Sequence, residues 1–93
     1  MPGWTMQLER GEFLHALKGL QGLLVLSICD RGLSIRSAAA RVEVTGDGFW
    51  ASPLGVPAAR LRRALACDYG CAHLEFVAGK LSVNASSIPA REI

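Results

Sequence analysis

The stretch VPAARLRRALA, residues 56–66, decides how the chain folds. At about 100° per residue its apolar members fall on one side of a helix: Ala58, Leu61, Ala64 and Leu65. Pro57 stands at the start, where its missing N–H would be unpaired in any helix. Arg60, Arg62 and Arg63 fall outside the apolar side. The stretch therefore predicts a short helix that packs on an apolar layer and presents a basic face.

Length and composition limit the class of protein. The chain has 93 residues, 51% of them hydrophobic and 19% charged, with a net charge of +2. Because chains this short seldom hold two cores, we expect residues 1–93 to form a single domain. The apolar fraction argues against disorder and favours a filled core or a surface that a partner covers. A net charge this small neither indicates nor excludes nucleic-acid binding, so any basic surface that binds nucleic acid has to be a local cluster of charges.

The sequence also indicates a compartment. The N-terminus lacks the basic region and apolar run of a signal peptide. The longest apolar run, residues 23–26, is far shorter than the roughly 20 residues of a membrane span. We therefore expect a cytoplasmic protein with no membrane partner and with Cys29, Cys67 and Cys71 reduced.

Alternation of apolar and polar residues predicts most of the secondary structure. Strands are predicted at residues 4–9, 23–28, 33–37, 41–45, 72–77, 81–85 and 88–93. Leu33 and Ile35 share one face of their strand, and Leu74 and Phe76 point inward from theirs. A helix of about three turns is predicted to carry Phe13, Ala16, Leu17, Leu20 and Leu24 on one side and to end near Gly22. The sequence Gly-Asp-Gly at 46–48 predicts a turn, followed by a short strand at 49–51.

The two halves of the chain share one layout. Each runs strand, helix and then a series of alternating strands, with pseudo-repeats at about residues 3–46 and 48–93. This order predicts a duplicated βαβββ unit, and an ordinary α+β sandwich with coincidental symmetry is the alternative. Two helices and about eight strands pack most simply with both helices on one face of a curved antiparallel sheet.

One family shares this pattern. The stretch GVPAARLRRAL, residues 55–65, resembles the segment of DNA sliding clamps in which a strand runs through a Val-Pro-Ala turn into the second helix. Residues 13–17 stand where the first helix would be, and the hairpin at 74–83 resembles the segment after the second helix in the clamps. The chain is thus similar to one domain of a ring that tethers replicative polymerases. The resemblance implies an α+β, DNA-clamp-like fold.

The resemblance also implies a function. In that family the helices line the pore, and their basic side chains face DNA phosphates without reading bases, so binding is salt-sensitive. By position, the DNA-binding residues would be Arg60, Arg62, Arg63 and Lys18. The partner implied is duplex DNA. Clamp subunits carry two or three such domains, so a ring built from this single domain would need several copies.

We expect a non-enzymatic, DNA-associated protein with no cofactor and no small-molecule substrate. A sheet of this type leaves strand edges with free N–H and C=O groups, so pairing of edges into a homo-oligomer is also expected. The alternative function is a protein-interaction or assembly module that keeps the clamp fold without binding DNA. In that case the basic helix face is only a solvated surface.

Other reactive residues carry weaker patterns. Cys67, Cys71 and His73 supply three potential zinc ligands, with Cys29 or Asp68 as a fourth, but their spacing fits no common zinc finger. Cys71 and His73 could in principle act as nucleophile and base, yet no orienting acid accompanies them. We therefore expect neither a metal site nor catalysis. The remaining aromatic residues are expected in the core or an interface rather than on bases: Trp4, Phe49 and Trp50.

Overall fold

A computed structural model describes residues 4–49, 52–66, 71–77, 79–84 and 86–93. Within these ranges the chain forms two helices and nine strands. In chain order they are β1 (Trp4–Glu9), α1 (Arg10–Leu17), β2 (Leu23–Cys29), β3 (Gly32–Arg36), β4 (Arg41–Phe49), β5 (Leu54–Pro57), α2 (Ala58–Ala66), β6 (Cys71–Val77), β7 (Lys80–Val83), β8 (Ser86–Pro89) and β9 (Arg91–Glu92).

The strands form one antiparallel sheet, in the order β8-β7-β6-β1-β4-β3-β2-β5-β9. Its two edge strands, β8 and β9, are separated along the chain by Ala90 alone. Two hydrogen bonds hold the chain where it passes from β8 to β9: Ala90 N donates to Gly79 O (3.1 Å), and Ile93 N donates to Pro53 O (2.9 Å). The two edges therefore meet at a seam, and the sheet is nearly closed. The single strand predicted at 88–93 is instead split between β8 and β9.

A single hydrophobic core unites the helices and the sheet. Strand residues that alternate with exposed ones supply one side of it, and both helices supply the other. The predicted inward pairs Leu33/Ile35 and Leu74/Phe76 are all buried. So is the whole predicted stripe of α2: Ala58, Leu61, Ala64 and Leu65. The prediction of an α+β domain with two helices and an antiparallel sheet is confirmed.

The predicted turn at 46–48 is wrong, because β4 runs straight through it to Phe49. The first half of β4 pairs with β3 and the second half with β1. A side chain at Gly46 would place its Cβ 2.2 Å from Leu8 Cδ2, and one at Gly48 would place it 2.2 Å from Thr5 O. These positions are therefore glycines because β1 packs closely against β4 there, and not because the chain turns.

The first helix is shorter than predicted. It ends at Leu17 after eight residues, and the next residue, Lys18, is already extended. Gly19 follows with φ +80°, a left-handed conformation that glycine adopts without strain and that stops a helix. Leu20 and Leu24 are still buried, but Leu24 lies in β2. The apolar spacing thus continues past the end of the helix because the strand after it packs into the same core.

The start of α1 is fixed by Glu9. Its carboxylate accepts hydrogen bonds from the backbone N–H of Gly11 (2.7 Å) and of Glu12 (2.8 Å). These bonds, helped by the neighbouring Arg10 charge, lower the pKa of Glu9 below its ordinary value, with a small opposing effect from desolvation. The capped carboxylate satisfies two N–H groups that have no partner within the helix.

Candidate nucleic-acid interface

The two helices lie against each other, and each receives an arginine from the other near its C-terminal end. Arg10, the first residue of α1, donates from Nη1 to Leu65 O near the end of α2, at 3.1 Å. Arg62 of α2 donates from Nη1 to Leu17 O, the last residue of α1, at 3.1 Å, and also to Leu20 O. The last carbonyls of a helix lack partners within it and carry partial negative charge. Each helix end is therefore capped by a cation from the other helix.

Arg62 consequently has a different position from the other predicted DNA-binding residues. It is half-buried, and its guanidinium points toward the end of α1 rather than outward from the helix layer. Arg60, Arg63 and Lys18 are exposed. Three of the four predicted residues are thus exposed, and two of them, Arg60 and Arg63, line one groove, whereas the fourth joins the helices.

A groove beside α2 holds the two exposed arginines. It has a volume of about 590 Å³, lies between α2 and β8, and is lined by Arg60, Arg63, Ser86 and Ile88 together with small alanine side chains. On α1, Glu12 forms an ion pair with Arg31 at 3.8 Å, and the exposed Glu9 caps the start of the helix. The groove beside α2 therefore carries two positive charges and no acid among its lining residues.

Removing the side chain of Arg62 is expected to destabilise the domain. Arg62→Ala leaves the carbonyls of Leu17 and Leu20 without their charged donor, and bonds to charged groups contribute about 1.5–3 kcal/mol. Urea unfolding should show a loss of about 2 kcal/mol. The matched control is Arg60→Ala, on an exposed part of the same helix, which should stay within about 0.5 kcal/mol of the wild type. Equal losses at both positions would contradict the capping role.

The cysteine pattern is only partly described. Residues 67–70, which include Cys67 and Asp68, lie outside the described ranges, as does the Cys71 side chain. His73 is exposed on β6, and its backbone N–H donates to Asn84 Oδ1 at 2.9 Å. Among the described residues, no three His, Cys, Asp or Glu side chains are grouped so that they could hold a metal ion.

The aromatic residues differ in their surroundings. Trp4 is half-buried and stacks on Phe76, with ring centroids 5.3 Å apart. Phe49 is 62% exposed at the end of β4. Trp50 lies outside the described part of the chain. The expectation of a core or interface position thus holds for Trp4, while Phe49 is open to solvent.

Sequence reasoning missed two groups of residues. The first is Arg10 alone, because nothing in the sequence around it indicates that its side chain reaches the end of the other helix. The second group lies on the sheet face that points away from the helices, where Ser34, Arg36 and Arg41 come together. Arg36 and Arg41 flank the short connection at 37–40 between β3 and β4. Two residues that flank so short a connection of a hairpin stand opposite each other, so their separation in the sequence could have predicted the pairing.

Comparison with known proteins adds no identification. No protein-family model matches the chain, and no match was found among curated proteins. Neither helix in the described ranges is long and apolar enough to cross a membrane. The function therefore has to be inferred from the geometry.

Proposed function

We propose that the chain is one clamp-type domain, built from two βαβββ units, that contacts DNA phosphates without sequence preference through its helix surface. The observation that carries the DNA contact is the exposed pair Arg60 and Arg63 beside a groove, with Lys18 on the neighbouring segment. Such contacts neutralise phosphates and release counterions, which makes binding salt-dependent but indifferent to base sequence.

The strand order supports the duplicated unit. Let β1, α1, β2, β3 and β4 correspond to β5, α2, β6, β7 and β8. β9, which pairs with β5 at the seam, has no counterpart in this correspondence. For the other eight strands, the exchange converts the order β8-β7-β6-β1-β4-β3-β2-β5 into β4-β3-β2-β5-β8-β7-β6-β1, which is the same circular order once β5 and β8 are neighbours across the seam. β5 and β8 do contact each other there. The units of the proposal then meet between Phe49 and Leu54, a few residues beyond the boundary that the sequence predicts.

The helix contacts support the same relation. Each helix receives an arginine at its C-terminal end from the other one, so the two contacts run in opposite directions. A twofold relation between the units makes the accepting carbonyls of Leu17 and Leu65 equivalent, whereas the donors Arg10 and Arg62 stand at different positions of their helices. We assign Arg60, Arg63 and Lys18 to one common surface. In the proposal, that surface is the one that meets the phosphate backbone.

Reversing two charges tests the proposal. Arg60→Glu combined with Arg63→Glu should weaken binding to a fluorescein-labelled duplex, measured by anisotropy at about 50 mM salt, by about tenfold or more. The slope of log K against log salt should become shallower by about two, because two phosphate contacts are lost. The wild type should bind duplexes of different sequence equally.

The control variant carries the same change of charge elsewhere. Arg36→Glu combined with Arg91→Glu places the reversals on the sheet face that points away from the helices. It should retain binding to within about threefold, since long-range repulsion alone is screened by salt. Absence of wild-type binding at low salt, or equal losses in the two variants, would remove the proposal.

The second candidate is an assembly module with the same fold. The observation that favours it is apolar surface at the seam, where Leu23 is 54% exposed and Ile93 63% exposed. Both side chains approach the backbone of Gly55 from the outer side of the sheet. Light scattering on the samples used for the DNA titration separates the candidates, because a stable oligomer that does not bind DNA supports this one alone.

A further inference from the structure

A pocket lies on the outer face of the sheet, the face that points away from the helices and from the proposed DNA surface. Its volume is about 270 Å³, and its walls come from β2, β3, β4 and the segment before β5. Its lining includes Val25, Ser27, Ser34, Arg36, Arg41 and Pro53. The alternate residues Leu24 and Leu26 of β2 and Leu33 and Ile35 of β3 are buried in the core, which identifies this face as the outer one. Ile28, near the end of β2, is 45% exposed and also lines the pocket.

Two arginines stand directly opposite each other at this pocket. Arg36 of β3 and Arg41 of β4 are cross-strand partners. Like charges at directly opposite positions destabilise a sheet. Glu43 relieves part of the repulsion by pairing with Arg41 Nη2 at 2.9 Å. Arg36 makes no hydrogen bond or ion pair within the described ranges, so one positive charge at the pocket is left without a counter-charge.

The floor of the pocket adds two hydroxyl groups. Ser34 is 5% exposed and is the buried polar residue of the described part of the chain. Its Oγ accepts a hydrogen bond from Arg41 Nε at 3.0 Å, which leaves its own O–H as a donor. Ser27 is the cross-strand partner of Ser34 and is half-buried. Neither hydroxyl has an acceptor among the described residues, and an unmade bond at a buried donor is costly.

The pocket is therefore rich in donors and poor in acceptors. The Arg36–Arg41 row supplies guanidinium groups, and the neighbouring Ser27–Ser34–Glu43 row supplies hydroxyls. The carboxylate of that second row, Glu43, is already bonded to Arg41. An oxyanion supplies the missing acceptors and the missing negative charge. Donors that arrive from two rows suit the three terminal oxygens of a phosphate better than the two oxygens of a carboxylate. Val25 and Pro53 border the same space and provide an apolar wall.

We propose that this pocket binds a phosphate monoester carried on a small apolar or aromatic group. The Arg36 guanidinium and the hydroxyls of Ser27 and Ser34 hold the phosphate, and Arg41 contributes its remaining N–H groups. The body of the ligand lies against Val25 and Pro53. This site is separate from the helix surface, and it does not depend on whether that surface meets DNA.

Phenyl phosphate is the probe. Titration followed by amide NMR shifts at pH 7.5 should show saturable binding, with the largest shifts in β2 and β3. Inorganic phosphate and benzoate should bind more weakly, because the first lacks the apolar body and the second lacks the third oxygen. Phenol should not bind. No saturation with phenyl phosphate at 20 mM would overturn the proposal, as would equal binding of phenol.

Three substitutions locate the site. Arg36→Gln should weaken binding of phenyl phosphate by about tenfold, since an exposed side chain that supplies the free charge is lost. Glu43→Gln should strengthen it by about threefold, because the internal carboxylate no longer competes for Arg41. Ser34→Ala should weaken it by about threefold or more.

The control for these substitutions is Arg91→Gln. Arg91 lies in the same cross-strand row on the outer face, beyond Val25 and Gly55, and does not line the pocket. Its substitution should leave binding unchanged, and so should the pair Arg60→Glu with Arg63→Glu. Equal weakening by Arg36→Gln and Arg91→Gln would mean that phosphate senses only the net charge, and the pocket would be rejected.

Discussion

Replacement of Gly32 by alanine is expected to cost about 4 kcal/mol or more, which is a large share of the free energy of unfolding of a domain of this size. Gly32 has φ +139°, a conformation that side chains rarely adopt. A Cβ at this position would also lie 2.3 Å from Gly46 N and 2.7 Å from Gly46 Cα. Because both contacts are with backbone of β4, the side chain cannot rotate away and the β3–β4 pairing has to open. Urea unfolding followed by circular dichroism measures the loss.

The control is the same substitution at Gly19. Gly19 has φ +80°, so an alanine there also meets conformational strain, but nothing lies within 4 Å of its Cβ. Gly19→Ala should therefore cost only about 1–2 kcal/mol. The difference between the two variants isolates the steric contact with β4. Similar losses in both would show that strain alone accounts for Gly32 and that β3 and β4 can separate at little cost.

Truncation of Leu61 should give the second large effect. Leu61 is fully buried on α2, in the core shared by both helices and the sheet. Leu61→Ala removes buried methyl groups and leaves a cavity, and such changes cost about 2–5 kcal/mol. A melting temperature lower by roughly 10 °C or more is the corresponding thermal result for a domain of this size.

Leu23→Ala is the matched control for this truncation. Leu23 is 54% exposed, so the same chemical change should cost less than about 1 kcal/mol. A loss at Leu23 that equals the loss at Leu61 would contradict exposure of Leu23 in solution. It would instead support the assembly candidate, since an oligomer that covers the seam would bury this side chain.

Local patterns predicted most elements because burial follows the periods of strand and helix. The stripe of α2 is the clearest case, since Leu61 and Leu65 are buried as their spacing requires. The alternation at 33–36 likewise placed Leu33 and Ile35 in the core. Such predictions succeed where one element packs one face against a single core.

The wrong predictions have a common cause, which is that the same sequence pattern arises from two different structures. Gly46 and Gly48 have the composition of a turn, but they are small because β1 passes close to them. Leu20 and Leu24 continue the spacing of α1 because the segment after the helix enters the same core. The spacing of apolar residues predicts that a residue is buried, but it does not predict which helix or strand the residue belongs to.

The candidate site shows the same limit. Arg60, Arg63 and Lys18 could be predicted as exposed, since each lies outside an apolar stripe. The destination of Arg62 could not, because the carbonyls that it contacts belong to a segment more than 40 residues away. The outer pocket depends on the pairing of Arg36 with Arg41, which comes from strand register and not from composition.

The place of β1 in the sheet has a consequence for synthesis. β1 is synthesised before both of its partners, β4 and β6, which come much later in the chain. Its buried residues Met6 and Leu8 stay without their full set of partners until residue 77 has been made. Closing such distant contacts is slow, so a nascent chain of this protein should depend on chaperones more than a helical bundle of equal length.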